Sequence, residues 1–289
     1  MRLLPAGLAT LLAVCLLGAP AGAAVLVRVM PAAPRQGDVA MVFVAGVRQP
    51  RELEGSVGGR PLHFFPYGEE WAALAGIDLE TRPGKTLWRV GVVDAQGKPI
   101  RLSGPVTVRS RKFPVQRLTL PKHLVDLDPA TARRAEAEAA RLRTLYDTIT
   151  PARLWNGRFV RPVGGDGVGE GFGSRRIING QPRLPHSGID FGAPNGTPVV
   201  ASNRGRVVLV SDFFFGGRLV ALDHGLGLYT LYMHLDGANV SEGLVVERGQ
   251  IIGTVGTTGR ATGPHLHFAA QQGRARIDPT GLLALPVRD

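Results

Sequence analysis

Cysteine is almost missing from this 289-residue chain; it occurs once, at Cys15. A single thiol excludes an intrachain disulfide framework. Acidic residues are also in short supply. The chain has 23 Asp and Glu against 34 Lys and Arg, which leaves a net charge of +11. Such an excess favours anionic partners through long-range steering. Long apolar runs are missing too. Only Leu8 to Leu17 is almost wholly apolar, and a membrane-spanning helix needs about 20 residues.

That short run has the length of a signal core. Arg2 supplies a positive start, and Ala21-Gly22-Ala23 offers a small-x-small cleavage pattern. Residues 1–23 are therefore expected to be an export signal, cut after Ala23. Lipid anchoring is not expected, because Leu12-Ala13-Val14 precedes Cys15 where a lipobox needs a small residue next to the cysteine. The chain after Ala23 has no cysteine, so no thiolate nucleophile or Cys-bound metal is available there. Export argues against nucleic acid as the anionic partner and leaves cell-wall polymers or lipid surfaces.

With 44% hydrophobic residues the chain can bury real cores, and 39 Gly with 22 Pro promise many turns. The length suits two domains and a connector. From residue 24 to 112 the pattern is all-β. Met41 to Val44, Pro61 to Phe65, Leu87 to Val92 and Val106 to Val108 are short β-prone runs separated by glycine-containing turns. Their spacing predicts a small β-sandwich. His63 and His123 have no partner at ligand spacing and read as structural. Residues 113–159 form a linker with one helix. Asp128 is a good N-cap, Pro129 suits the first helical position, and Ala130 to Tyr146 is rich in helix formers. Ala135, Ala139, Leu142 and Tyr146 share one modestly apolar face. From residue 160 to 289 the pattern is β again, with strong strands at 199–201, 205–210, 218–222, 228–232 and 250–255. The fold class predicted is mainly β: an N-terminal sandwich, a connector helix and a C-terminal antiparallel domain.

Five of the seven histidines fall in that last part. His265-Leu266-His267 lies on a predicted strand, where residues i and i+2 share a face about 7 Å apart. His186 and Asp190 also share a face in an extended chain, but at about 13 Å, too far for one ion. A bend is needed, and Gly188 between them is where it is expected. His234 follows a strong strand and is expected at its end. Two His and one Asp suit a zinc hydrolase, which has three protein ligands and an open position for water. Arg175 and Arg176 are candidates for holding a substrate carboxylate.

The segments Phe172-Gly173-Ser174-Arg175, His186-Ser187-Gly188-Ile189-Asp190, Leu231-Tyr232-Met233-His234-Leu235 and Gly259-Arg260-Ala261-Thr262-Gly263-Pro264-His265-Leu266-His267-Phe268 closely resemble the lysostaphin-type (LytM-domain) zinc endopeptidases. The resemblance covers about residues 160–285. It implies Zn2+ ligands at His186, Asp190 and His267, a general base at His265 and a transition-state stabiliser at His234. It also implies peptidoglycan cross-link peptides as substrate. The region before it looks like that of exported Gram-negative members, which implies a periplasmic location. His224 falls in a family turn and reads as structural. Lysostaphin's additional oxyanion tyrosine has no counterpart in residues 179–185.

Two other readings compete. A non-catalytic LytM-type regulator would bind the wall or activate a wall amidase as a protein partner, but such domains have lost ligands, and all five positions are intact here. A structural zinc protein would close its metal with four ligands, and only three converge beside His265.

Overall fold

The computed structural model describes residues 24–165, 167 and 169–287; the expected export signal lies outside them. Among the described residues no helix is long and apolar enough to cross a membrane. Residues 26–108 form two four-stranded antiparallel sheets packed face to face. One holds β1 (Leu26–Met30), β2 (Val39–Ala45), β5 (Phe64–Tyr67) and β6 (Glu70–Gly76), in the order β1-β2-β6-β5. The other holds β3 (Glu52–Val57), β4 (Arg60–Pro61), β7 (Gly84–Val93) and β8 (Pro99–Val108), in the order β4-β3-β7-β8. The apolar run 61–65 is not one strand. It is cut at Leu62-His63, where the chain crosses from the second sheet to the first.

β2 is apolar at every position, Val-Ala-Met-Val-Phe-Val-Ala, because both of its faces are covered. Alternate side chains of a strand point to opposite faces. Ala40 and Val42 pack with Ala73, Val106 and Val108 between the two sheets. Val39, Met41 and Phe43 point the other way, into a cluster with Trp155, Phe159, Leu228, Ala270 and Ile277 of the C-terminal unit. Ala72 and Leu74 of β6 join the same cluster. The sandwich and the C-terminal unit therefore share a core.

The linker is absorbed into that C-terminal unit. Its β9 (Val115–Leu118) pairs in parallel with β10 (Arg175–Ile178), which in turn pairs with β11 (Gln181–Pro182). Helix α1 (Pro129–Asp147) begins as its cap predicts, with the Asp128 carboxylate accepting from the Ala130 and Thr131 amides. It is not a free connector. Leu142, Leu145 and Tyr146 rest on an apolar cluster of the C-terminal sheet, and Tyr146 meets Tyr229 edge to face at 5.7 Å. The Glu138 carboxylate accepts the Phe214 amide at 2.8 Å.

A nine-stranded sheet carries the rest. Its members are β12 (Gly188–Gly192), β13 (Pro198–Val200), β14 (Gly205–Phe213), β15 (Gly217–Asp223), β16 (Leu228–Ala238), β17 (Val245–Val246), β18 (Ile251–Val255), β19 (His265–Gln272) and β20 (Ala275–Ile277). The main path runs β12-β19-β16-β15-β14-β17, and the short helix α2 (Pro279–Leu283) follows. β19 lies between β12 and β16.

One ion-pair network also joins the two units. Arg276 of β20 donates to Asp78 through Nε at 3.0 Å and Nη2 at 2.8 Å, and to Glu80 at 2.7 Å. Burial raises the Asp78 pKa, but the hydrogen bonds and charge of Arg276 outweigh this and hold it below the ordinary aspartate range. A depressed pKa contributes stability above the unfolded-state value, and that stability is lost as pH falls through the folded one. Asp78→Asn is therefore expected to cost about 3 kcal/mol at pH 7, as breaking a buried pair does. The gap should narrow below about pH 4, where Asp78 of the unfolded wild-type chain begins to take up its proton. Urea unfolding of both proteins at the two pH values checks this; a gap that widens in acid contradicts it.

Candidate active site

Three elements bring the polar residues together. Antiparallel pairing of β12 with β19 sets Asp190 directly opposite His267, and pairing of β16 with β19 sets Met233 opposite His267. His186 precedes β12 and folds back beside them. Its backbone is fixed by two hydrogen bonds, the His186 amide to the Ser174 carbonyl and the Gly173 amide to the His186 carbonyl. His186 Nε2 lies 3.0 Å from Asp190 Oδ1, and His267 Nδ1 lies 2.8 Å from both. The predicted approach of His186 to Asp190 is present, but Gly188 serves it differently. Gly188 is the first residue of β12 and is not left-handed. A Cβ there would lie 2.4 Å from the Phe268 carbonyl oxygen and 2.7 Å from His267 Nε2. Glycine is needed because the His267 ring and the neighbouring strand pass too close for a side chain.

Three donor atoms this close fit a metal. In a zinc tetrahedron with bonds near 2.0–2.1 Å, ligand atoms are separated by about 3.3 Å. The separations here are slightly shorter, and all three atoms converge on one point. Two imidazole nitrogens 2.8 Å apart repel if both present lone pairs, and a cation between them and a carboxylate removes that conflict. Burial pushes the His267 pKa down to about 4, against the opposing pull of Asp190, so the ring is neutral at pH 7 and able to ligate. Burial raises the Asp190 pKa, but hydrogen bonds from His186 and His267 dominate and keep it ionised. His186 Nδ1 is buried and has no partner among the described residues.

His265 and His234 flank this triad, their ring centroids 4.7 Å apart. His265 Nδ1 is 2.8 Å from the Gly263 carbonyl and His234 Nδ1 is 2.8 Å from the Thr258 carbonyl. A carbonyl only accepts, so each Nδ1 carries hydrogen. In the neutral rings each Nε2 then offers a lone pair. Burial, then His267 and His265, lower the His234 pKa to about 3. His234 does not end its strand as predicted. β16 continues to Ala238, and His234 sits at a bulge inside it with φ +63°. There β16 leaves β19, its partner through Met233, and takes up β18 from Leu235. Bulges re-aim side chains and left-handed non-glycine residues cluster at functional sites.

The remaining candidates separate. Arg176 Nη2 is 3.6 Å from Asp190 Oδ2, beside the triad. Arg175 points away from the cleft; it pairs with Glu80 at 3.3 Å and lies over Phe113. Neighbouring strand residues face opposite ways, so the two arginines cannot both serve one cleft. His224 is fully buried between the Arg204 carbonyl and the Thr230 hydroxyl, away from the triad. Two cleft arginines were not singled out from the sequence, Arg183 and Arg260. Arg260 lies in the glycine-rich loop before β19, a position that its place in the motif could have flagged.

Residues 184–279 match the model of peptidase family M23. A solved structure of a Pseudomonas aeruginosa protein assigned to peptidase M23 aligns over 86% of this chain and 95% of its own, at 30% identity and a TM-score of 0.62. The chain belongs to peptidase family M23. Among curated M23-like relatives, it is 43% identical over 102 residues to the Vibrio cholerae peptidoglycan DD-endopeptidase ShyA. It is 44% identical over 101 residues to the Neisseria meningitidis DD-carboxypeptidase/endopeptidase Mpg. Each match spans 35% of this chain and only 24% or 23% of the relative, about a quarter of its length. The M23 segment contains every member of the triad and both flanking histidines, but neither β9 nor the sandwich.

Proposed function

We propose that this protein is an exported, periplasmic zinc endopeptidase that hydrolyses peptide cross-links of peptidoglycan. The observation that carries this reading is the convergence of His186, Asp190 and His267 beside two further imidazoles, His234 and His265. His186, Asp190 and His267 would hold the ion. Bound zinc supplies a Lewis acid that lowers the pKa of water and polarises a carbonyl. His265 takes the attacking water's proton at Nε2, because its Nδ1 is committed to Gly263. His234 stands beside it, the two ring centroids 4.7 Å apart. With Nδ1 committed to Thr258, His234 donates to the developing oxyanion through Nε2 once that nitrogen carries a proton. The names of the similar endopeptidases support peptidoglycan as the substrate, as does the positive charge. The non-catalytic regulator reading requires lost ligands, and here the ligand residues are retained and converge.

The test uses the chain from Ala24 onward, which contains every described element. Zinc near one equivalent and cleavage of purified cross-linked muropeptides are expected. Zinc without cleavage would favour the regulator, and absence of both would reject the enzyme.

A further inference from the structure

The cleft has two recesses of opposite character. On one side of the triad lies a cavity of about 400 Å3 whose walls include Arg176, Arg183 and Arg260 together with His186, His234 and His267. No Asp or Glu lines it among the described residues. A second recess, of about 550 Å3, shares His186 with it and is lined by Glu170 and Asp190. Three guanidiniums are thus gathered on one side with no acid of their own. Among the described residues only Arg176 of the three has a carboxylate within 4 Å, and that carboxylate belongs to the triad.

Two of the guanidiniums are held in place, and the third keeps an unpartnered nitrogen. Arg183 Nη2 donates to the Val125 carbonyl at 3.1 Å and to Gln181 Oε1 at 2.5 Å. Arg260 lies over the Phe215 ring at 4.1 Å from its centroid. Arg176 Nε is buried and has no hydrogen-bond partner among the described residues. The crowding is felt electrostatically. Burial, then Arg176 and Arg183, lower the Arg260 pKa to about 10. Gathering fixed cations without counter-charge destabilises the empty site and favours an anion that completes it.

Carboxylate is the anion that a peptide supplies, and its position follows from the geometry. Arg176 reaches to 3.6 Å from a triad ligand, so the carboxylate it meets lies within about one residue of the bond being cut. On the acyl side of that bond, the main-chain carboxyl group is itself in the bond. The nearest main-chain carboxylate is therefore on the residue whose amine leaves.

Resting on the peptidase reading above, we propose that Arg176, Arg183 and Arg260 form a carboxylate-binding arm. They make this enzyme specific for peptide bonds whose leaving amine belongs to a residue with a free carboxylate. Two bond types share this chemistry. One is the last bond of a linear peptide. The other is a cross-link to the side amine of a diamino acid whose neighbouring carboxylate is free. The acyl-side peptide then occupies the Glu170 recess.

The experiment compares matched substrates on the zinc-loaded chain from Ala24. One pair is a linear stem peptide ending in a free acid or in a carboxamide. The other is a cross-linked dimer with that carboxylate free or amidated. Within whichever pair is cleaved, kcat/KM should be at least about tenfold higher for the acid, the worth of a charged hydrogen bond. Cleavage of the linear pair identifies terminal-bond activity, and cleavage of the dimer identifies the cross-link. Arg260→Gln should collapse the acid-over-amide ratio towards one, and Arg260→Lys should restore it only in part, because lysine lacks the planar fork. Calorimetric titration of the same substrates into the His265→Ala protein reads the arm without turnover. There the acid should bind at least about tenfold tighter than the amide, and Arg260→Gln should remove the difference. Equal cleavage of acid and amide, or equal affinity for them, overturns the proposal while leaving the peptidase intact. Absence of any cleavage overturns the peptidase reading, and the calorimetry then decides the arm separately.

Discussion

Replacing His267 by alanine is expected to abolish metal binding and hydrolysis together, whereas replacing His265 by alanine should abolish hydrolysis and spare the metal. The two residues are neighbours on one face of β19, so the contrast is sharp. His267 Nδ1 is one of three atoms that converge on a single point, and its loss leaves two ligands where zinc needs three from the protein. His265 Nε2 stands 3.9 Å from Asp190 Oδ1, outside that cluster, with its other nitrogen bonded to Gly263. A general base contributes about 10²–10⁴-fold, so turnover of the His265→Ala protein should fall by that factor. Zinc stoichiometry by atomic absorption, measured beside muropeptide cleavage, reads both effects. If His265→Ala loses zinc as completely as His267→Ala, the division between ligand and base is wrong.

Trp155→Ala is expected to destabilise the whole chain by about 3–5 kcal/mol, the range for removing a large buried aromatic. Trp155 is 1% exposed and is wedged between the two units. It meets Phe65 of the sandwich edge to face at 5.1 Å, and Phe159 at 5.9 Å. The Arg153 guanidinium caps its ring at 4.9 Å. Because Val39, Met41 and Phe43 share this core with Leu228 and Ile277, both units should unfold in one transition, and the substitution should shift that transition as a whole. Urea titration followed by circular dichroism checks this. Two separate transitions, only one of them moved, would show that the interface is not a common core.

How far the sequence revealed this depends on the range of each signal. Helix α1 was legible because its cap, first-turn proline and helix formers are all local, and Asp128 caps it as expected. His265 and His267 were legible because strand period alone puts them on one face. His234 lies beside the triad, its ring centroid 6.0 Å from that of His267, but its bulge was not visible, since a bulge depends on β16 changing partners from β19 to β18. β6 went unread because Glu-Trp-Ala-Ala-Leu-Ala-Gly is rich in alanine, which favours helices; burial on both faces overrides that preference. The pairing of β9 with β10 spans 60 residues, Val115 to Arg175, and leaves no local trace. Arg183 and Arg260 come from separate loops, and only folding puts them beside Arg176.

β19 has a consequence for modularity. His265 and His267 stand at its start, while Ala270 and Gln272 at its far end touch the shared core and Gly76 of the sandwich. The seven steps between its ends span roughly 23 Å. The sandwich thus grips the strand at the end remote from the two histidines, and none of its described residues lines either recess of the cleft. A fragment cut to the family-matched residues 184–279 would keep all five site residues yet strip the cover from Leu226, Leu228 and Ile277. Recombination that moved this segment alone into another chain would carry the chemistry with a raw apolar face attached. In this chain the unit with a complete core therefore includes the sandwich.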